Sequence, residues 1–494
     1  MAAQHSIMET LPYDILGLIF DMVKEMDFAS LCALRFTSKV LNEAVESKTF
    51  ISTTIGFSNR PWTSAQLETM ASGTSPHSLW TRNLTILQNG LIPLEISGYD
   101  CFQGEVRERF LVCQKTFLVP ALKSLHELVC AKVALTGNEP YCDILQALAE
   151  LSNLAELTIS PCITPEEYPL PLDTFANLRV IAISCFPIFP SIVVSLKRML
   201  AQSAESLESL TLVPNDWNTS NLNQPRSINL DELFEEPPGS LRVCSNLKEL
   251  VINGNRIRLS ALSAPILQSL TRLEVRNCAN DNIDPTFWDA LQDAKVHLRA
   301  LTMSPITPRA VEYLASYTGL KELCMKAATY SHKTQSGAAD PLSVLESVLP
   351  KHRETLQVLS FAALGFTEFM CAEETVDAII MCEQLKSLEL VYHYRELQSA
   401  VQDDRTLKLE RLLFRLTDRL PHLARLHIAP KRLMPRMRCG NGAMSYYRRM
   451  SDSFVKDICE VQFVARSPRF TVEAGRSCTL VFDHEARCFA AKGD

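Results

Sequence analysis

The chain is short of glycine, with only 16 in 494 residues. Phosphate-cradling loops need several glycines at set spacing, and none of G-x-x-x-x-G-K-[ST], G-x-G-x-x-G or G-x-S-x-G occurs. H-E-x-x-H is missing too, and the 16 cysteines, spread from Cys32 to Cys488, include no C-x-x-C pair. No metal site and no cofactor is therefore expected. Ser453-Phe-Val-Lys456 has S-x-x-K spacing but none of the companion motifs, so no catalytic role is assigned and the chain is not expected to be an enzyme. No apolar run approaches the roughly 20 residues that cross a bilayer. The first residues lack a basic stretch followed by an apolar one, so no secretory signal is expected. The cysteines then read as reduced, mostly buried thiols of a cytoplasmic and/or nuclear protein. Positive charge is not in surplus either: 49 Lys and Arg against 56 Asp and Glu leave a net charge of -7. That balance argues against nucleic acid and against a membrane surface as partners.

What is present is a globular composition, 47% hydrophobic and 21% charged. The length suits two or three domains or one extended repeat array. The first fifty residues are apolar beyond what a solvated leader needs, and too few to build a good core alone. Leu11, Ile15, Leu16, Ile19, Phe20 and Val23 recur at helical spacing behind Pro12, which suits a first helical turn. Asp27 can cap a second helix carrying Phe28, Leu31 and Leu34. Thr37 or Ser38 can cap a third, with Val40, Leu41, Ala44 and Val45 on one face. Such a segment reads as a docking module with apolar surface left for a partner; the alternative is a plain cap on the following domain.

The residues Leu11-Pro12, Ile15-Leu16, Ile19-Phe20, Asp27 and Leu31-x-x-Leu34-Arg35, in that order, resemble the F-box. Many F-boxes carry a tryptophan in the third helix, where Val40 and Leu41 stand here. The resemblance implies a module over residues 8–50 that packs against a Skp-type adaptor and so joins a cullin–RING ubiquitin ligase. Leu11, Pro12, Ile15, Leu16, Ile19, Phe20, Leu31 and Leu34 are the adaptor-binding residues it implies. The Leu11-Pro12 end and the stripe from Ile15 to Phe20 are the favoured adaptor face, with some apolar residues between Phe28 and Val45 turned inward.

From Leu125 onward one phrase returns: Leu-x-x-Leu-x-apolar, as in Leu154-Ala-Glu-Leu157-Thr-Ile159, Leu270-Thr-Arg-Leu273-Glu-Val275 and Leu385-Lys-Ser-Leu388-Glu-Leu390. Leu84-Thr-Ile-Leu87 reads as a degenerate first copy. The phrase resembles that of leucine-rich repeats, whose units span 20–29 residues; longer steps here need insertions. One unit cannot bury its leucines alone, so units must stack. The expected fold is α/β: a three-helix F-box, then a leucine-rich-repeat solenoid with parallel strands on the concave face and helices or loops on the convex face. The expected division is 8–50, a connecting segment over 51–120, repeats over 121–430 and a basic loop with a C-terminal cap over 431–494.

Side chains alternate along a strand, so residues flanking each core leucine face outward. Glu249, Arg272, Glu274, Arg276, Glu322, Lys326, Glu389, Arg425 and His427 are the substrate-binding candidates. Their mixed charge suits a protein partner. The tail carries Lys431, Arg432, Arg436, Arg438, Arg448 and Arg449 with no acid among them. This cluster reads three ways: a reader of phosphorylated or acidic segments, a nuclear-import signal, or a basic surface loop. Val461-Gln-Phe463-Val464, Phe470-Thr-Val472 and Thr479-Leu-Val481-Phe482 read as closing strands. An F-box joined to leucine-rich repeats implies the substrate-recognition subunit of an SCF-type ligase for an unnamed protein substrate. A non-degradative interaction scaffold is the alternative.

Overall fold

The computed structural model describes residues 11–56, 64–87, 112, 114–134, 140–160, 170–186, 190–214, 228–236, 240–241, 244–253, 257–276, 283–303, 306–326, 343–362, 373–392, 408–430, 441–464, 466–474 and 478–492. The chain forms two compact units. One comprises Met1–Arg226 with Leu233–Arg242, and the other Ser227–Glu232 with Val243–Asp494. Both units carry part of the repeat region.

The first unit opens with three helices, α1 (Tyr13–Met26), α2 (Phe28–Leu34) and α3 (Lys39–Thr49). Their ends follow from local chemistry. The Asp27 carboxylate accepts from the Ala29 N–H at 3.0 Å, and the Ser38 hydroxyl accepts from the Leu41 N–H at 3.2 Å, each holding an otherwise orphaned helical donor. Ser38, not Thr37, is the third cap, since the Thr37 hydroxyl donates back to the Leu34 carbonyl. Leu16, Phe20, Leu31, Leu41 and Val45 make the core of the three helices, rimmed by Leu11, Ile19, Val23, Leu34 and Ala44.

Parallel strands follow in sequence order: β1 (Ser52–Gly56), β2 (Asn83–Leu87), β3 (Cys130–Ala134), β4 (Glu156–Ile159), β5 (Val180–Phe186) and β6 (Ser209–Pro214). β1 lies ahead of any leucine phrase. Its Thr53 stands in register with Leu84. This buried hydroxyl is satisfied by Thr81 Oγ1 at 2.7 Å and by His77 Nδ1 at 3.0 Å, which is why a threonine can hold a core position.

The second unit carries β7 (Glu249–Asn253), β8 (Arg272–Arg276), β9 (Ala300–Met303), β10 (Glu322–Lys326), β11 (Val358–Ala362), β12 (Ser387–Tyr392), β13 (Arg425–Pro430) and β14 (Thr471–Ala474), all parallel. The hairpin β15 (Cys478–Asp483) and β16 (Cys488–Ala491) continues the sheet antiparallel. The register puts every second leucine of the phrase on one line: Leu250, Leu273, Leu301, Leu323, Leu359, Leu388 and Leu426, then Val472. All eight are fully buried. Each such side chain is worth about 1.5–3 kcal/mol on burial, so stacking of copies is the main source of stability. Just before the strands, the backbone forms a second ladder. Arg299 N–H donates to the Thr271 carbonyl at 2.7 Å, Lys321 to Arg299 at 2.7 Å, Gln357 to Lys321 at 2.7 Å and Lys386 to Gln357 at 2.8 Å.

Return segments are helical in many copies, including α4 (Pro285–Asp293), α5 (Pro308–Ala315), α6 (Glu373–Ile380) and α7 (Leu409–Arg419). Asp284-Pro285 and Thr307-Pro308 each place a capping side chain directly before a proline that needs no N–H partner. Between α4, α5 and the sheet, Tyr313 donates to the Val296 carbonyl at 2.6 Å and Tyr317 to that of Leu298 at 3.1 Å. His352 accepts from Leu320 N–H at 3.2 Å and meets the Leu314 carbonyl at 2.9 Å, a neutral ring whose burial holds its pKa down.

The tail departs from expectation. Residues 431–440 lie outside the described residues, and with them Lys431, Arg432, Arg436 and Arg438. Residues 441–450 are not a loop but the start of a helix, α8 (Asn441–Glu460), on which Arg448 and Arg449 are exposed. Val461 to Val464 forms no strand: Phe463 packs edge-on against Phe414, Phe482 and Phe489 as part of a connector. Of the nine cysteines with described side chains none forms a disulfide, and only Cys244 and Cys382 are buried; the other seven are half-buried.

Candidate binding faces

α1 carries apolar residues on two sides. Leu16 and Phe20 face the helical core. Ile15, Leu18, Met22 and Met26 form a second stripe at helical spacing, exposed by 44, 63, 64 and 84%. Phe28 and Phe36, at the two ends of α2, are also exposed. A surface helix normally turns a polar face to water, so this second stripe is the unpartnered one.

The residues implied for adaptor docking therefore divide. Leu16, Phe20 and Leu31 are buried and hold the three helices together, so they offer no surface. Leu11, Ile19 and Leu34 are half-buried against that core. Pro12 is exposed at the head of α1, its carbonyl accepting from Ile15 and Leu16 at 3.0 Å. Ile15 alone of the eight belongs to the outer stripe. Leu18, Met22, Met26 and Phe36 escaped the spacing argument, and Phe28, assigned to the second helix, is exposed. The signal was there in the excess: α1 holds more apolar residues than one stripe can use.

Arg35, also part of the F-box-like phrase, works inside the module. Its guanidinium lies 4.5 Å over the Phe50 ring and donates to Asn42 Oδ1 at 3.2 Å, while Asn42 donates to Glu46 at 2.9 Å. Phe50 in turn sits edge-on to His77 at 4.5 Å. Burial and then the Arg35 charge lower the His77 pKa.

On the exposed face of the second unit's strands, the substrate candidates are brought together in rows and largely paired with one another. Arg272 reaches Glu249 at 3.2 Å and, across the small Ala300, Glu322 at 2.9 Å. Glu274, expected to face outward, is instead buried and ion-paired with Arg276. Glu389 accepts from the Ser360 hydroxyl at 2.5 Å and meets His427 Nδ1 at 3.1 Å. The hydrogen bond to Glu389 raises the His427 pKa, opposed by burial and helped by the charges of Glu389 and Glu473. Arg425 is exposed at the start of β13. Lys326 ends β10, and its side chain lies outside the described residues. Serine, carboxylate and imidazole do meet here, but in the wrong order for acyl transfer. The carboxylate stands between the other two, so the imidazole does not contact the hydroxyl. Lys456 pairs with Glu460 at 3.6 Å on α8. Among the described residues no group of three His, Cys, Asp or Glu could hold a metal ion, and no helix is long and apolar enough to cross a membrane.

The sequence matches no family model and no curated protein. Among solved structures, it is similar to the crystal structure of the Rad7 and Elc1 complex of yeast. The identity is 15% and the TM-score 0.43, over 89% of this chain and 97% of that one. A leucine-rich-repeat protein of Leptospira interrogans is similar at 13% identity and a TM-score of 0.30, over 69% of this chain and 92% of that one. Both likenesses are loose, and neither assigns a partner or an activity to this chain.

Proposed function

We propose that this protein is the substrate-recognition subunit of an SCF-type cullin–RING ubiquitin ligase. Its three helices dock a Skp-type adaptor, and the sheet face of the second unit binds a protein substrate for ubiquitylation. The observation that carries the reading is the outer stripe of α1. Ile15, Leu18, Met22 and Met26, with Phe28 and Phe36 beside them, stay exposed although the core beneath is complete. Burying a side chain of this size is worth about 1.5–3 kcal/mol. Six partly exposed anchors can together offset an association cost of about 4–15 kcal/mol. The ordered resemblance of Leu11 to Arg35 to the F-box supplies the class of partner. Docking asks no catalytic group of this chain, and the work would take place in the cytoplasm or nucleus.

The test is co-purification of the full chain with a Skp-type adaptor. Wild type is expected to retain the adaptor, and the Leu18→Glu/Met22→Glu variant to lose it with the helices still folded. If wild type retains none, or the charged variant retains as much, the reading is wrong. Ubiquitylation of a captured partner by the assembled ligase then separates a receptor from a scaffold.

A further inference from the structure

A groove of about 490 Å³ lies where β8, β9, β10 and β11 begin, at the edge of the sheet and off the outward strand face. Thr271, His297, Arg299, Thr318, Lys321 and Thr355 line it, and no carboxylate does. Its walls are held from within. The ring of His297 stacks flat on Tyr317 at 5.0 Å, and Tyr317 is tied to the Leu298 carbonyl. Gly319, with φ +109°, makes the left-handed turn that brings the chain from α5 into β10. Thr271 and Thr355 spend their hydroxyl hydrogens on the Lys248 and Leu320 carbonyls. The side-chain donors remaining along the groove are then the Arg299 guanidinium, the Lys321 ammonium, the His297 ring, the Thr318 hydroxyl and the Gln268 amide.

The charge here is uncompensated. Glu322, next to Lys321, is turned to Arg272, and Glu354, next to Thr355, lies 3.8 Å from Arg353. Among the described residues neither Arg299 nor Lys321 makes an ion pair, in contrast to Arg272 and Arg276 on the strand face. Adjacent strands lie about 4.8 Å apart, so groups leading into β9 and β10 can close on one small anion. A carboxylate is satisfied by a guanidinium alone through two parallel bonds. Donors converging from three segments suit an anion with acceptors in three directions. We propose that this groove binds a phosphate group, free or carried on a protein side chain, through Arg299 and Lys321 with His297 and Thr318. The inference is independent of adaptor docking, since no residue of α1 to α3 takes part.

The experiment is calorimetric titration of the full chain with two probes, inorganic phosphate and a phosphoserine peptide, the unphosphorylated peptide serving as control. Saturable binding of a phosphate probe is expected. Arg299→Ala/Lys321→Ala should weaken it by about tenfold or more, while Arg309→Ala, which removes an exposed cation paired with Glu312 on α5, should leave it unchanged. Since both altered residues are exposed, the double variant is expected to melt with wild type, which a thermal scan checks. Tighter binding of the phosphopeptide assigns the site to a phosphorylated side chain. Equal or tighter binding of inorganic phosphate assigns it to a small free phosphate. No saturation by either probe below about 10 mM, or equal affinity of the double variant and wild type, overturns the proposal.

Discussion

Alanine at Phe20 and alanine at Met22, two positions apart on α1, ask which face of that helix holds the fold and which is free. Phe20 is fully buried among Leu16, Leu31, Leu41 and Val45. Truncating a buried phenylalanine costs about 3–5 kcal/mol. A core of about forty residues supplies only about 3–5 kcal/mol in all. Phe20→Ala should therefore melt the three helices while the sheets stay folded. Met22 is 64% exposed, and Met22→Ala should change stability by no more than about 0.5 kcal/mol. Hydrogen exchange on the full chain reads both outcomes. Amides of α1 to α3 should lose protection by about a hundredfold or more in Phe20→Ala, those of β8 to β12 should not, and Met22→Ala should match wild type throughout. Equal loss in the two variants, or none in Phe20→Ala, refutes the division of α1 into an inner and an outer stripe.

Two histidines should titrate in opposite senses. The bond to Glu389 raises the His427 pKa, so its stabilising effect is complete below the unfolded value of about 6.5 and is lost as pH rises through the folded one. The NMR midpoint of His427 should lie above that of free histidine and fall in Glu389→Gln; an unmoved midpoint sinks the assignment. Burial and the Arg35 charge lower the His77 pKa, so the unfolded chain binds the extra proton first, and stability should decline as pH drops from about 6.5 towards the folded value. A His77 midpoint at or above that of free histidine counts against the packing drawn around Thr53 and Phe50.

The leucine ladder was legible because each copy repeats the same chemistry at the same offset. A one-residue slip from Leu273 on Leu301 on Leu323 would turn the leucines to water. The first strand of the first unit and the last parallel strand of the second were harder to read because the ladder position there changes residue type, as it also does at Ala131 and Ile181. Thr53 holds it through hydroxyl bonds to Thr81 and His77, and Val472 holds it with a smaller side chain. Val461 to Val464 misled for the reverse reason. Its apolar alternation reflects Phe463 filling an aromatic cluster while its N–H donates to Arg487, which needs no sheet. On α1, periodicity found the helix but could not say which of two apolar stripes is inward. That choice is made by α2 and α3, through Leu31, Leu41 and Val45.

The two variable positions inside Leu-x-x-Leu have different fates, and this bears on what a partner meets. The second x precedes the buried leucine on the strand and stands about 4.8 Å from its counterparts on both neighbouring strands. Charges placed there find each other, as Glu249, Arg272 and Glu322 do. A partner using them must break pairs that are partly exposed and individually worth about 1 kcal/mol or less. The first x lies before the strand, its backbone committed to the lead-in ladder and its side chain at the sheet edge. In the second unit this position reads Lys248, Thr271, Arg299, Lys321, Gln357, Lys386 and Ala424. Four of the seven are cations and none is an acid, so no copy at this position can neutralise its neighbour. In a chain of net charge -7, Arg299, Lys321 and Lys386 make no ion pair among the described residues, so an anionic partner would be drawn to that edge before it touched the paired face.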